Sequence, residues 1–463
     1  MKDKCILKGL LICFFFLFLL PNTEAQELPG LKISDDQRHL VTTEGQPFFW
    51  LGGTAWELIH RLTREEVDLY LSDRASKGFT VIQTVVLAEL DGLRTPNAYG
   101  DLPLTDLDPT QPNEAYFEHV DYVLRKAEAL GLYVALLPTW GDKFNKRWGT
   151  GPEIFTPENA KSYGQWLANR YQQQSNLIWV LGGDRAPETD THYQIIRAMA
   201  AGIREVDSIH LMSYHPLGAK KATDFFTDQW LDFDMYQSGH SRLAREYDYV
   251  IESRKAATPR PIINAEARYE NIPDRFWEEQ SHGWLDDADV RVSAYYSMMA
   301  GASGYTYGCN DIWQMYDERR APIIQARTDW DQAIHLPGSY QMGYMKDLFE
   351  KLPWQQMTMD QSLIMGDNPK DENYQIASLS ADRTVAMIYS PTGRPVQADL
   401  SKLKANKLQA FWFNPRSGSI QSIGSFNNQG NQTFSPWASG WSSDFLLVLL
   451  ASDASIDWAY FSE

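Results

Sequence analysis

From about residue 48 to 308, short apolar and β-branched runs alternate with amphipathic stretches. Eight runs read as strands: 48–53, 79–86, 133–138, 178–182, 210–213, 233–236, 261–264 and 304–307. Several are unbroken apolar runs, as expected of parallel strands buried on both faces. The stretches between them carry helix punctuation. Thr63 and Glu66 fit a capping box, Val67, Leu71 and Ala75 follow at four-residue spacing, and Gly78 stands where that helix should stop. Phe117, Val120, Val123, Leu124 and Ala127 share one helical face that ends before Gly131, and Thr156-Pro157 is a cap followed by proline at the first helical position. Eight such units predict an α/β fold, a (β/α)8 TIM barrel rather than an open doubly wound sheet. No GxGxxG or Walker pattern follows any run, which argues against a nucleotide site.

Beyond about residue 345 the texture changes. Runs at 374–379, 384–389, 408–413 and 445–450 are separated by Pro-Thr-Gly, Asn-Pro-Arg-Ser-Gly and Asn-Asn-Gln-Gly turns. That pattern predicts a C-terminal antiparallel β-sandwich, with Tyr340 to Trp354 as the connecting segment. At the other end, Lys2, Lys4 and Lys8 precede an apolar run at 10–20, and Thr23-Glu24-Ala25 closes it. This reads as a secretory signal peptide cleaved after Ala25, because eleven apolar residues fall short of the ~20 a membrane span needs. The expected organisation is a signal peptide at 1–25, a catalytic barrel at 26–345 and a sandwich at 346–463. It implies an exported chain, periplasmic, extracellular or on the cell surface, with no transmembrane segment after signal removal. Cys309 is then the single remaining cysteine, so no internal disulfide is expected.

Composition adds two things. The formal net charge is −18 over 463 residues, which argues against nucleic acid as a partner. Aromatics reach 13%, with 16 Trp, enough to furnish flat platforms as well as core.

Active sites of such barrels sit at the C-terminal ends of the strands. The fourth run ends Leu181-Gly182-Gly183-Asp184-Arg185 and the seventh ends Asn264-Ala265-Glu266-Ala267-Arg268, so each brings a carboxylate to the barrel mouth. Paired carboxyl groups are what glycosidic cleavage needs: one donates a proton to the leaving oxygen, and the other attacks carbon or activates water. The bland alternative is that they cap helices or pair with Arg185 and Arg268. His215, Gln237 and His240 follow the fifth and sixth runs, where they could bond sugar hydroxyls or merely satisfy structural partners. Trp56, Trp140, Tyr214 and Trp313 follow the first, third, fifth and eighth, as stacking walls or as core. Arg185 and Arg268 suit a carboxylated sugar, since guanidinium binds carboxylate in a bidentate fork. No spacing makes a zinc site or a serine nucleophile elbow, so no metal and no cofactor are expected.

The runs Trp179-Val180-Leu181-Gly182-Gly183-Asp184, Ile263-Asn264-Ala265-Glu266-Ala267-Arg268-Tyr269-Glu270 and Gly301-Ala302-Ser303-Gly304-Tyr305-Thr306-Tyr307-Gly308 resemble glycoside hydrolase family 140, the apiosidase-like enzymes. Gly52-Gly53-Thr54-Ala55-Trp56 and Asn97-Ala98-Tyr99-Gly100 fit as well. The resemblance spans nearly the whole mature chain, including a C-terminal sandwich that in such proteins carries a collagen-binding label. It implies an endo-apiosidase that cuts between apiose and galacturonic acid in the pectin rhamnogalacturonan II, with Asp184 and Glu266 as the catalytic pair. One departure stands out: the wider clan of barrel glycosidases presents Asn-Glu after strand four, where this chain has Gly183-Asp184. The expected chemistry is retention, with Glu266 as nucleophile and Asp184 as acid/base. Two alternatives remain: a retaining glycosidase on a neutral plant polysaccharide, and a non-catalytic carbohydrate-binding protein.

Overall fold

The computed structural model describes residues 27–461, so the expected signal peptide lies outside the described residues. Eight parallel strands form the barrel: β1 (Trp50–Thr54), β2 (Val81–Leu87), β3 (Tyr133–Thr139), β4 (Leu177–Gly182), β5 (Met212–His215), β6 (Asp234–Gln237), β7 (Ile262–Glu266) and β8 (Gly304–Tyr307). Hydrogen-bonded order runs β5-β4-β3-β2-β1-β8-β7-β6. The ring closes between β5 and β6, where Asp232 N donates to Met212 O at 2.9 Å and Ser213 Oγ to Phe233 O at 2.7 Å. All eight sequence runs coincide with these strands to within a few residues.

The strands sort their side chains by alternation. Val81, Val85, Ala135, Leu137, Ile178, Val180, Ile263 and Ala265 fill the barrel's interior. Ile82, Val86, Val134, Leu136, Trp179 and Leu181 face the helices outside. Those helices are α1 (Arg64–Ser76), α2 (Glu114–Ala129), α3 (Pro157–Tyr171), α4 (Asp190–Arg204), α5 (Glu246–Arg254), α6 (Asp287–Met299) and α7 (Pro337–Glu350). The Thr63–Glu66 box forms as the sequence predicts, Thr63 N donating to Glu66 Oε2 at 2.8 Å and Glu66 N to Thr63 Oγ1 at 3.3 Å. Gly78 and Gly131 end their helices at φ +81° and +76°. The fifth unit departs from the repeat. Between β5 and β6 the chain makes a two-residue strand, Lys220–Lys221, antiparallel to β6, and a single 3₁₀ turn, Ala222–Asp224, in place of a long helix.

Residue 345, the expected domain boundary, lies inside α7, and the second sheet begins at β9 (Met357–Met359). The other strands there are β10 (Ile376–Ser380), β11 (Val385–Ser390), β12 (Val396–Asp399), β13 (Lys407–Asn414), β14 (Ser419–Asn427), β15 (Asn431–Phe434) and β16 (Phe445–Ala451). Six of them form one antiparallel sheet in the order β9-β10-β11-β16-β13-β14, while β12 and β15 pair as a small separate layer. The central strands β11 and β16 are buried at every position, so both faces of the sheet are covered there. Tyr389 stacks on Tyr295 of α6 at 4.6 Å, and Ser378 Oγ meets Met299 Sδ at 3.6 Å. Trp437 and Trp441 of the second domain are 53% and 40% exposed. Among the described residues no helix is long and apolar enough to cross a membrane.

Candidate active site

The loops at the C-terminal ends of the strands enclose a cavity of about 1180 Å³. Asp184 and Glu266 both line it, and the backbone explains how each gets there. Along β7, Ala265 faces the barrel interior, so strict alternation would turn Glu266 outward. The register against β6 slips between Asn264 and Glu266, and this bulge re-aims the carboxylate into the mouth.

Beyond β4, Gly182, Gly183 and Asp184 are all left-handed, at φ +92°, +113° and +50°. A Cβ on Gly183 would lie 2.8 Å from the Trp140 ring and 2.9 Å from Gly141 N. Asn would not fit there, which accounts for the departure from the clan's Asn-Glu. Asp is among the few side chains that tolerate the conformation that follows.

The two carboxyl groups sit in opposite environments. His240 Nε2 lies 3.2 Å from Glu266 Oε1, and His215 Nε2 lies 3.2 Å from Oε2. His240 Nδ1 donates to Ala267 O at 3.0 Å, since a carbonyl can only accept, so the Nε2 side shares one proton with Glu266. Burial by itself would raise Glu266, but the contacts and charge of the two histidines outweigh it and hold Glu266 below the usual carboxylate range. Asp184 moves the other way. Burial raises it first, the Glu266 charge adds to that, and Arg185 opposes without winning. The surroundings favour the ionised form of one group and the protonated form of the other, which is how environment divides acid from nucleophile in a carboxylate pair.

The structure sorts the remaining candidates. Trp56, Trp140, Gln237, His240 and Trp313 are on the cavity wall. Four expected substrate contacts require correction. Tyr214 is fully buried, donates to Arg185 O at 2.6 Å and packs on Phe226, so it braces the loop from behind. His215 is also buried, with Trp56 at 5.2 Å and Trp140 at 6.0 Å from its ring; it touches Glu266 rather than the cavity. Arg268 lies two residues beyond the end of β7, where strand alternation no longer governs it, and is buried in an ion pair with Glu246 at 2.9 Å. Arg185 is spent inside the wall, where Nη1 donates to Asp184 O at 2.8 Å and meets Asp184 Oδ2 at 3.2 Å, and Nη2 meets Glu89 Oε1 at 3.1 Å.

Glu89, Trp148 and Arg245 are among the wall residues that escaped the sequence reading. Glu89 follows β2 and joins the Arg185 fork. Trp148, 59% exposed, lies over Arg185 with its ring 4.2 Å from the guanidinium carbon. Its loop is anchored by Asp142, which accepts from Lys143 Nζ and Gly151 N, both at 2.7 Å. Arg245 is exposed and lines the cavity without an ion pair among the described residues. Glu89 carried the same signal as the catalytic candidates, an apolar run followed by a carboxylate; Trp148 and Arg245 sit in loops with no periodicity to mark them. Among the described residues, no group of three His, Cys, Asp or Glu is placed to hold a metal, and Cys309 is buried and free.

Residues 34–356 match the family described as "Apiosidase-like, catalytic domain", and residues 359–450 match one described as a "collagen-binding domain of a collagenase". Among solved structures, a glycoside hydrolase family 5 protein from Bacteroides vulgatus ATCC 8482 is 31% identical with a TM-score of 0.85, over 94% of this chain and 96% of that one. Another, described as a glycoside hydrolase, is 32% identical with a TM-score of 0.84, over 92% and 98%. A second Bacteroides vulgatus glycoside hydrolase shares the fold at 14% identity and a TM-score of 0.65, over 92% and 83%. No curated protein matches the chain.

Proposed function

The chain belongs to the apiosidase-like family of glycoside hydrolases, and we propose that it is an endo-apiosidase cutting between apiose and galacturonic acid where side chains join rhamnogalacturonan II. The observation that carries the reading is the pair of carboxyl groups at the mouth in unlike surroundings: Glu266 between His215 and His240, which favour its ionised form, and Asp184 buried beside the Glu266 charge, which favours its protonated form. In the first step Glu266 attacks the anomeric carbon while Asp184 gives its proton to the departing glycosidic oxygen, leaving a glycosyl ester on Glu266. In the second, Asp184 takes a proton from water as the water oxygen displaces Glu266, and the anomeric configuration is retained. Trp56, Trp140 and Trp313 offer walls for the apolar faces of sugar rings. Arg185 and Arg268 are committed elsewhere, so the cation offered to a galacturonate carboxylate is Arg245 on the rim. A leader at 1–25 would deliver the enzyme to a polysaccharide outside the cytoplasm.

A neutral plant polysaccharide is the second reading, favoured by a wall with many aromatics and few cations. Digestion of purified rhamnogalacturonan II, with the products sized and their reducing ends identified, separates the two. Release of apiose-ended oligosaccharides is expected. Cleavage of neutral glucan oligomers with no apiose-ended product would replace this reading with the second. NMR of the first-formed anomer tests retention, and an inverted product would remove Glu266 from the nucleophile's role.

A further inference from the structure

Four carboxylates line the cavity, and the mechanism uses two. Asp248 is exposed in the first turn of α5, where an acidic side chain complements the helix dipole. Glu89 has no such account. Its side chain is 17% exposed and borders the cavity. Oε1 meets Arg185 Nη2 at 3.1 Å, and Oε2 has no hydrogen bond among the described residues. The same guanidinium holds Asp184 through Nη1, so Glu89 and Asp184 stand side by side on one rigid fork capped by Trp148.

As a mere counter-ion for Arg185 the arrangement is expensive. Asp184 already supplies a carboxylate and a carbonyl to that guanidinium. Burial, together with the charges of Asp184, Asp142 and Glu57, pushes Glu89 up to about 7 despite Arg185. A carboxylate withdrawn from most of its water, with one oxygen facing the cavity and no partner for it among the described residues, is suited to a bond from whatever fills the cavity. Such costs cluster where a ligand repays them.

We propose that Glu89 is a sugar-binding residue: its unbonded Oε2 accepts a hydrogen bond from a hydroxyl of the ring lying against Asp184. The assignment rests on the chain being a glycoside hydrolase and does not depend on apiose. Arg185 fixes the carboxylate's position, so the hydroxyl is met without a conformational cost.

The test compares wild type with Glu89→Gln and Glu89→Ala on rhamnogalacturonan II fragments or, if these are not cleaved, on neutral glucan oligomers. Which substrate the wild type cleaves decides the reading of function; the ratio of variant to wild type on that substrate decides Glu89. A hydrogen bond to a charged acceptor predicts a loss of about 10- to 100-fold in kcat/KM, with KM raised and the melting temperature held or increased. The proposal is overturned if both variants keep kcat/KM within about twofold, if activity falls only in step with melting temperature, or if a pH limb moves while KM stays fixed. Glu89→Gln preserves the shape of the side chain, so the experiment stands even if Glu89→Ala does not fold.

Discussion

Two buried charge clusters in this molecule follow opposite rules. Where the barrel meets the second sheet, Arg291 of α6 is buried and each of its nitrogens has a partner. Nε donates to both oxygens of Asp444 at 3.0 Å, Nη2 to Asp444 at 2.9 Å, and Nη1 to Asp287 and Gln341 at 2.5 and 2.7 Å. Tyr389 completes the set with a 3.0 Å bond to Asp444. At the barrel mouth, Gln237 Oε1 and Trp140 Nε1, on residues that line the same cavity as Asp184 and Glu266, make no hydrogen bond among the described residues. The first cluster joins two pieces of the chain. The second holds desolvated groups whose partners the protein does not supply, the signature of a site built for something else to occupy.

Substituting the central acids gives the largest contrast. Glu266→Gln and Asp184→Asn should each lower turnover by about 10²–10⁴-fold, with Glu266→Gln at the upper end, while thermal stability holds or rises. Unchanged turnover in both, with glycan binding retained, would make the protein a carbohydrate binder and erase the distinction. Asp444→Ala should do the reverse. It strands Arg291 and costs about 3–5 kcal/mol in urea unfolding, with kcat/KM within about twofold wherever the chain is folded. A large loss of activity without loss of stability would show that the seam also serves the site.

The pH profile comes next in size. The proposed mechanism requires protonated Asp184, raised to about 6, and ionised Glu266, lowered to about 2, so kcat/KM should fall above about pH 6 and persist on the acid side. Stability follows the same sign. Between the ordinary 3.8 and about 6 the folded state binds the Asp184 proton more tightly than the unfolded chain does, so this residue's contribution weakens as pH rises through that window. Asp184→Asn should flatten that stretch of the stability curve; a slope identical to wild type would contradict the environment described for Asp184.

The smallest effect separates two arginines. Arg245→Ala should raise KM about two- to fivefold for an acidic substrate and leave a neutral one unchanged, as befits an exposed charge. Arg268→Ala should lower stability without that selectivity, because its partner is Glu246 and not the substrate. Equal selectivity for both would undo the correction made to Arg268.

Much of this was legible in the chain. Short apolar and β-branched runs marked the eight barrel strands, several of them unbroken because a parallel strand buried on both faces leaves little room for polar residues, and Thr63-Glu66 and Thr156-Pro157 marked helix starts through chemistry confined to one turn. Carboxylates after strands four and seven marked the mouth, and Glu89 after strand two offered the same mark. Adjacency misled for Arg185 and Arg268, where a neighbour in sequence turns into the wall or behind it. The missing fifth helix escaped as well, since the stretch between β5 and β6 is closed by backbone pairing that no local pattern announces.

The amino-acid sequence by itself therefore settles what depends on neighbours along the chain: strand and helix periodicity, caps, and carboxylates delivered to strand ends. Only the tertiary structure decides which charges meet. The bulge that turns Glu266 inward, the two histidines from other strands that keep it ionised, and the fork of Arg185 between Asp184 and Glu89 join residues up to about a hundred positions apart. Their protonation is set by burial and by those distant partners, and neither quantity exists until the barrel has closed.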